Sequence, residues 1–236
     1  MYLSRLILNV RSREVRRDLA DCQGMHRTLL KALPVKADPN AGARENFGLL
    51  YRLESDVRTG RYLLYVQSSE RPDWIRLPQG YLAEAGGLEN PACKEITRVY
   101  QRLRPGTLLS FALRANPTRK AGTASKTERL AGARNNGRRV FITRTDAQIE
   151  WLRRKGEGGG FALLGVKVNA AVPDLDARPE PGVHGRRNGA ELTFGSILYQ
   201  GHLRITDADK FRATLARGVG SGKAYGFGLL TIAPPR

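Results

Sequence analysis

The chain has 236 residues and sets 40 Lys and Arg against 22 Asp and Glu, a formal net charge of +18 at pH 7. That length suffices for one large core or two small ones, and such a cationic excess favours a polyanionic partner, nucleic acid first. Two cysteines, Cys22 and Cys93, exclude a disulfide framework and a four-thiolate zinc site and point to a reducing, cytoplasmic compartment; no apolar run approaches spanning length and no leader pattern opens the chain, so no membrane partner is expected.

Leu3 to Val10 reads as a strand. Ser12 caps a helical pattern with Val15, Leu19, Cys22, Leu29 and Leu33 on one face, interrupted by Gly24 and ended by Pro34. Pro34 to Arg44 is polar and turn-rich. Phe47 to Leu53 and Arg61 to Ser68 are apolar runs around an Asp56 to Gly60 turn, hence a hairpin. Trp74 to Ala85 is mixed and Lys94 to Leu103 is ambiguous. The order is that of a βαββαβ unit. Thr107 to Ala115 opens a second unit as a strand, with Leu109, Phe111 and Leu113 on one face. The most basic tract follows: Arg114, Arg119, Lys120, Lys126, Arg129, Arg134, Arg138, Arg139 and Arg144, opposed by Glu128 alone. Its Gly, Asn and Ser content predicts mostly loop. A helix at 147–155 and a strand at 161–168 come next. Pro173 to Pro181 reads as an acidic, proline-rich loop. Val183 to Phe194 is a hairpin turning at Arg186-Arg187-Asn188-Gly189, where Asn-Gly is the turn signal. Gly195 to Ile205 is a strand, Asp207 to Arg217 a helix, and Leu229 to Ala233 a last strand. The expected fold is α+β, two tandem ferredoxin-like (RRM-like) domains with antiparallel sheets, at 1–92 and 107–236 with a linker at 93–106.

Before the last strand lies the densest motif, Gly218-Val219-Gly220-Ser221-Gly222-Lys223-Ala224-Tyr225-Gly226-Phe227-Gly228. It fails as a nucleotide-binding P-loop: Arg217 stands where the first glycine belongs, Ala224 follows the lysine, and the loop joins helix to strand rather than strand to helix. Lys223, Tyr225, Gly226 and Phe227 fit part of the RNA-recognition signature, whereas Ala224, Gly228 and Leu230 do not.

Metal chemistry has little support in the sequence. The histidines His26, His184 and His202 lack ligand spacing, and no carboxylate cluster suggests a two-metal nuclease; neither metal nor cofactor is expected. Metal-free RNA cleavage needs only a base for the ribose 2′-OH, an acid for the leaving oxygen and a cation for the phosphorane. His26 is the best candidate, with Arg27 beside it and Lys31 five residues on. The competing reading is a core histidine: on one unbroken helix from 15 to 33 it shares the apolar face with Val15, Cys22 and Leu33, and only a break at Gly24 frees it. His202 reads as structural, and His184, beside Arg186-Arg187, as an RNA contact.

The opening Met1-Tyr2-Leu3-Ser4, the Met25-His26-Arg27 segment, the Leu113-Arg114-Ala115-Asn116-Pro117 run and the terminal glycine loop followed by Leu229-Leu230 resemble the CasE-type CRISPR RNA endonucleases, precursor-processing subunits of type I-E Cascade. The resemblance runs the length of the chain. It implies cleavage at the base of a repeat stem-loop, no metal, a 2′,3′-cyclic phosphate product, and retention of the RNA within Cascade beside other Cascade subunits. It also implies that His26 is the catalytic histidine and that Lys31 lies near the scissile phosphate. Gln23 departs from the family, whose close members carry a tyrosine there that assists the histidine. The expected RNA-binding set is Arg27, Arg114, Arg119, Lys120, Arg129, Arg134, Arg138, Arg139, Arg186, Arg187 and Lys223, the Arg186-Arg187 turn resembling a family hairpin that contacts the stem. Gln23 also motivates a rival reading, a non-catalytic subunit that binds an RNA hairpin.

Overall fold

The computed structural model describes residues 1–34, 47–56, 59–120, 139–166 and 168–235. The first unit starts with β1 (Tyr2–Leu8), α1 (Arg13–Ala20) and α2 (Cys22–Lys31), followed by β2 (Leu50–Asp56), β3 (Arg61–Ser68) and β4 (Ala92–Glu95). Its sheet has the order β2-β3-β1-β4 with every neighbour antiparallel, the ferredoxin-like arrangement. The second crossover is not a full helix. Between β3 and β4 the chain makes one 3₁₀ turn at Trp74–Arg76, enough to set Trp74 into the core, where its indole N–H donates to Ser4 Oγ at 3.0 Å. Leu6 and Leu8 of β1, Val15, Met25 and Leu29 of the helices, and Leu64 and Val66 of β3 fill that core.

The ambiguous 94–103 segment divides into the end of β4 and a short helix α3 (Thr97–Gln101). Ile96, Tyr100 and Leu103 belong to the second core, so the connection is also a packed joint. Two buried polar side chains span it. Gln67 donates to the Leu215 carbonyl at 2.8 Å and accepts from Tyr100 Oη at 2.9 Å. Arg52 donates to the carbonyls of Ala112 and Leu229.

In the second unit, β5 (Leu108–Ala115) is central. The ribbon β6 (Thr118–Lys120) and β7 (Arg139–Phe141) pairs Thr118 with Phe141 and Lys120 with Arg139. After it come α4 (Thr145–Gly159), β8 (Phe161–Leu163), β9 (Gly165–Val166), β10 (Asn169–Pro173), β11 (Leu175–Arg187), β12 (Ala190–Ile205), α5 (Ala208–Arg217) and β13 (Leu230–Ala233). The sheet runs β11-β12-β5-β13 with β8 also on β12. Leu109, Phe111 and Leu113 alternate inward against Trp151 and Leu152 of α4 and Phe211 and Leu215 of α5, as a half-buried strand requires.

Two expectations need correction. Pro173 to Pro181 is mostly strand, and the hairpin does not begin at Val183: β11 and β12 form one long hairpin paired from Leu175↔Gly201 to Arg187↔Ala190, with a register shift between Glu180 and Val183. Among the described residues β11 pairs with β12 alone, so Pro179 and Pro181 lie on an edge strand, where proline is tolerated. The turn itself is as read, with Asn188 at φ 51° and Gly189 at φ 79°. The second correction concerns the helix break, which lies at Asp21 and not at Gly24.

Candidate functional site

Asp21 ends one helix and starts the next. Its backbone is extended (φ −131°, ψ 105°), and its carboxylate accepts from the Gln23 backbone N–H at 3.1 Å, the usual service of an N-cap. Gly24 stays inside α2. A Cβ there would lie 3.0 Å from Asp18 Oδ1, so its absence lets the two helices fold closely together. The restart sets Cys22, Met25 and Leu29 into the first core. His26 lies at the border of that face, half-buried, with its imidazole against the second unit.

Two elements of the second unit meet α2. One is the β11–β12 hairpin, seated through Gly185: a Cβ at that residue would fall 2.7 Å from both Asp21 Oδ1 and Cys22 Sγ. The other is the glycine loop, which closes through Val219 N–H to Gly228 O at 2.9 Å and is tied to the end of β5 by Gly228 N–H to Arg114 O at 2.8 Å and by a bridge between Asn116 and Ser221. The two sequence motifs that flank this contact, Arg-Ala-Asn-Pro and the glycine run, thus form one structure. Inside the loop, Lys223–Tyr225 makes a 3₁₀ turn between Gly222 and Gly226, both left-handed. Gly226, at φ 87°, lets the chain run over Tyr51, whose ring would lie 3.0 Å from any Cβ.

The turn presents Tyr225 to His26, ring centroids 6.3 Å apart and edge-on at 65°. Behind it, Phe194 of β12 stacks on Tyr225 at 5.1 Å and lies 5.8 Å from Phe227. His26 Nδ1 is buried with no hydrogen-bond partner among the described residues, and so is Gln23 Oε1 one turn away. Burial first, and the Arg187 cation second, hold the imidazole below its ordinary value, so the neutral form persists to lower pH. The nearby buried carboxylate is committed elsewhere, Asp18 accepting from Tyr81 Oη at 3.0 Å and from Arg17. Burial pushes the Cys22 thiol up to about 11, which disfavours its nucleophilic thiolate form.

Several expected site residues converge here. Gln23, His26 and Arg27 are on α2, Arg186 and Arg187 end β11, and Lys223 is in the loop. Arg119, Lys120 and Arg139 line the exposed ribbon, which abuts the loop through Thr118 and Ser221. Lys31 is exposed in the last turn of α2, five residues on and so about 140° around the helix from His26. Arg114 is buried. Its guanidinium lies 2.7 Å from Glu180, donates to Ser196 Oγ and the Pro181 carbonyl, and covers Phe227, so it braces the hairpin against the loop. Arg129, Arg134 and Arg138 lie outside the described residues. His184 lines a cavity of about 360 Å³ that also borders Tyr225. His202 pairs with Asp174 at 2.7 Å, away from these cations. Sequence reasoning missed Tyr225 and Phe194; only the partial RNA-recognition match at Tyr225 hinted at the first.

Among the described residues no three His, Cys, Asp or Glu side chains converge as a metal site, and no helix is long and apolar enough to cross a membrane. A family model described as CRISPR associated protein matches residues 1–234. The chain is 37% identical over 240 residues to the CRISPR-associated endoribonuclease Cse3 of Thermus thermophilus, covering 99% of this chain and all of that one. It is 33% identical over 135 residues to the CRISPR system Cascade subunit CasE of Escherichia coli, spanning 56% of this chain and 61% of that one. The structure of Thermus thermophilus Cse3 bound to an RNA representing a pre-cleavage complex superposes with a TM-score of 0.75 at 34% identity, covering 99% of this chain and 98% of that one. The chain belongs to the Cse3/CasE family of CRISPR-associated endoribonucleases.

Proposed function

We propose that this protein is a cytoplasmic endoribonuclease that grips a CRISPR repeat stem-loop, cleaves the precursor RNA at the base of the hairpin without a metal ion, and stays bound as a Cascade subunit. The observation that carries the reading is the setting of His26: an imidazole kept neutral by burial and a neighbouring arginine, at the meeting of α2, the cationic hairpin tip and the glycine loop. The family relationship supports the activity. The Cascade name of the Escherichia coli relative supports the assembly.

In this mechanism His26 is the base. Its Nδ1 is buried, which leaves Nε2 for the RNA. Nε2 takes the proton of the ribose 2′-OH, the 2′-oxygen bonds to phosphorus, and the P–O5′ bond breaks. The 5′-oxygen takes a proton from solvent water and leaves as a hydroxyl, the His26 imidazolium returns its proton to solvent, and the ribose keeps a 2′,3′-cyclic phosphate. Gln23, three residues before His26 and so on the same side of α2, is a hydrogen-bonding group for the ribose. Arg187 supplies the near cation for the phosphorane, and Lys31, on another side of α2, supplies a cation for the adjoining RNA backbone. Arg186, Arg187, Arg27, Lys223 and the ribbon residues Arg119, Lys120 and Arg139 hold phosphates, since the A-form major groove is poorly readable to side chains.

The test is cleavage of repeat RNA in EDTA by wild type and His26→Ala. We expect a cyclic-phosphate product from wild type, and loss of about 10²- to 10⁴-fold in the variant with binding retained. Equal cleavage by both removes His26 from the chemistry, and activity abolished by EDTA restores a metal. Gln23 favours one second reading, a non-catalytic hairpin binder; tight binding by a wild type that never cleaves would select it.

A further inference from the structure

Among the described residues, the imidazole of His26 has no carboxylate or carbonyl of the kind that usually fixes a catalytic histidine. What it has is a ring. Tyr225 meets it edge-on at 6.3 Å, Phe194 stacks on Tyr225 at 5.1 Å and 30°, and Phe227 closes the row at 5.8 Å from Phe194 under the Arg114 guanidinium. These rings come from three elements. His26 is on α2 of the first unit, Tyr225 is in the glycine loop, and Phe194 is on β12, five residues beyond the turn residue Gly189. Phe194 is fixed lengthwise by pairing with Val183 and sideways by Gly195, which abuts the Phe141 ring of the basic ribbon. The hairpin tip that carries Arg186 and Arg187 is therefore joined to the imidazole by ring-to-ring contact.

We propose that Phe194 and Tyr225 are positioning residues that orient His26 and couple its orientation to the seating of the β11–β12 hairpin on RNA. The inference rests on the reading of His26 as the base. Offset and edge-on aromatic contacts have preferred geometries, so a ring held on one face constrains the ring on the other. Displacement of a catalytic group by about 1 Å costs on the order of a hundredfold in rate, which is the scale of effect available to such a relay. The contact that matters is the ring of Tyr225, and its hydroxyl is dispensable.

The experiment compares Tyr225→Ala, Tyr225→Phe, Phe194→Leu and His26→Ala in single-turnover cleavage of repeat RNA, with the dissociation constant measured on the same RNA and folding checked by thermal melting. Tyr225→Ala should cut the rate constant by about a hundredfold with affinity little changed. Tyr225→Phe should restore most of the rate. Phe194→Leu, which keeps an apolar side chain but loses the ring, should fall between them. The groups facing His26 from packed elements are Arg187 on the hairpin and Tyr225 in the loop, with Gln23 and Arg27 on its own helix; losing the Tyr225 ring admits water, so the acid limb of the rate profile should move up toward the ordinary histidine range in Tyr225→Ala. The proposal is overturned if Tyr225→Ala cleaves like wild type while His26→Ala is inactive, if affinity falls in parallel with rate, or if Tyr225→Phe is as slow as Tyr225→Ala, which would make the hydroxyl a proton-transfer group. His26→Ala cleaving normally overturns instead the reading beneath it.

Discussion

His26 and His202 are both partly buried imidazoles near a strand hairpin, and their surroundings are opposite. His202 Nδ1 lies 2.7 Å from Asp174 on an open part of the second sheet. That arrangement looks more like a catalytic histidine with its orienting acid than anything around His26. His26 has no such acid among the described residues. Its neighbours are Arg187 and the Tyr225 ring, and its Nδ1 is buried without a partner among the described residues. On the proposed reading, a phosphodiester at His26 meets a cation and a neutral base with no carboxylate beside the imidazole, and the orientation of the ring comes from packing against the aromatic row.

The comparison breaks most severely if His26 receives the environment of His202. Arg187→Asp removes the cation that, after burial, helps hold the imidazole below its ordinary value, and sets a negative charge against the incoming phosphate. Cleavage at neutral pH should fall by about a hundredfold or more, measured under single turnover; an undiminished rate would show that the hairpin tip does not face the site. Gly185→Ala is milder. It adds one methyl whose carbon would fall 2.7 Å from both Asp21 Oδ1 and Cys22 Sγ, so the hairpin must shift away from α2, and we expect a loss of roughly tenfold in rate with overall stability nearly intact. Wild-type cleavage in this variant would mean that the seating of the hairpin is irrelevant to chemistry. The smallest effect belongs to the other histidine. Asp174 and His202 are partly exposed, so their pair contributes roughly 0.5 kcal/mol. His202→Ala should lower Tm by about 1–2 °C and leave cleavage within about twofold of wild type.

Much of the fold was legible because local chemistry and tertiary demand agree. Asn188-Gly189 turns where that dipeptide should, and Leu109, Phe111 and Leu113 face one core as their alternation implies. Where the two disagree, local reading fails. Pro179 and Pro181 speak for loop, yet an open edge accepts them in a strand. Gly24 speaks for a break, yet the carboxylate of Asp21 is a better place to restart a helix, and the glycine is needed for close packing on Asp18. The site shows the same division. His26 and its cations could be found from residue type and spacing. Arg114, counted with the basic tract, is buried against Glu180 because its strand alternation points it into the hairpin joint. Tyr225 and Phe194 could not be paired with His26 at all, since about 170 to 200 positions separate them along the chain and no local pattern records such a contact.

The central claim is that burial and the arginine neighbour keep His26 neutral so that it acts as the base. The pH dependence of cleavage at subsaturating repeat RNA, which reports the free enzyme, tests it most directly. Because the imidazole is held below its ordinary value near 6.5, the rate should stay level as pH falls from neutral through that value and decline only below it, with this limb absent from the residual activity of His26→Ala. A rate that instead falls as pH rises through 6.5, demanding the protonated imidazole, or an acid limb unchanged in His26→Ala, would contradict the account.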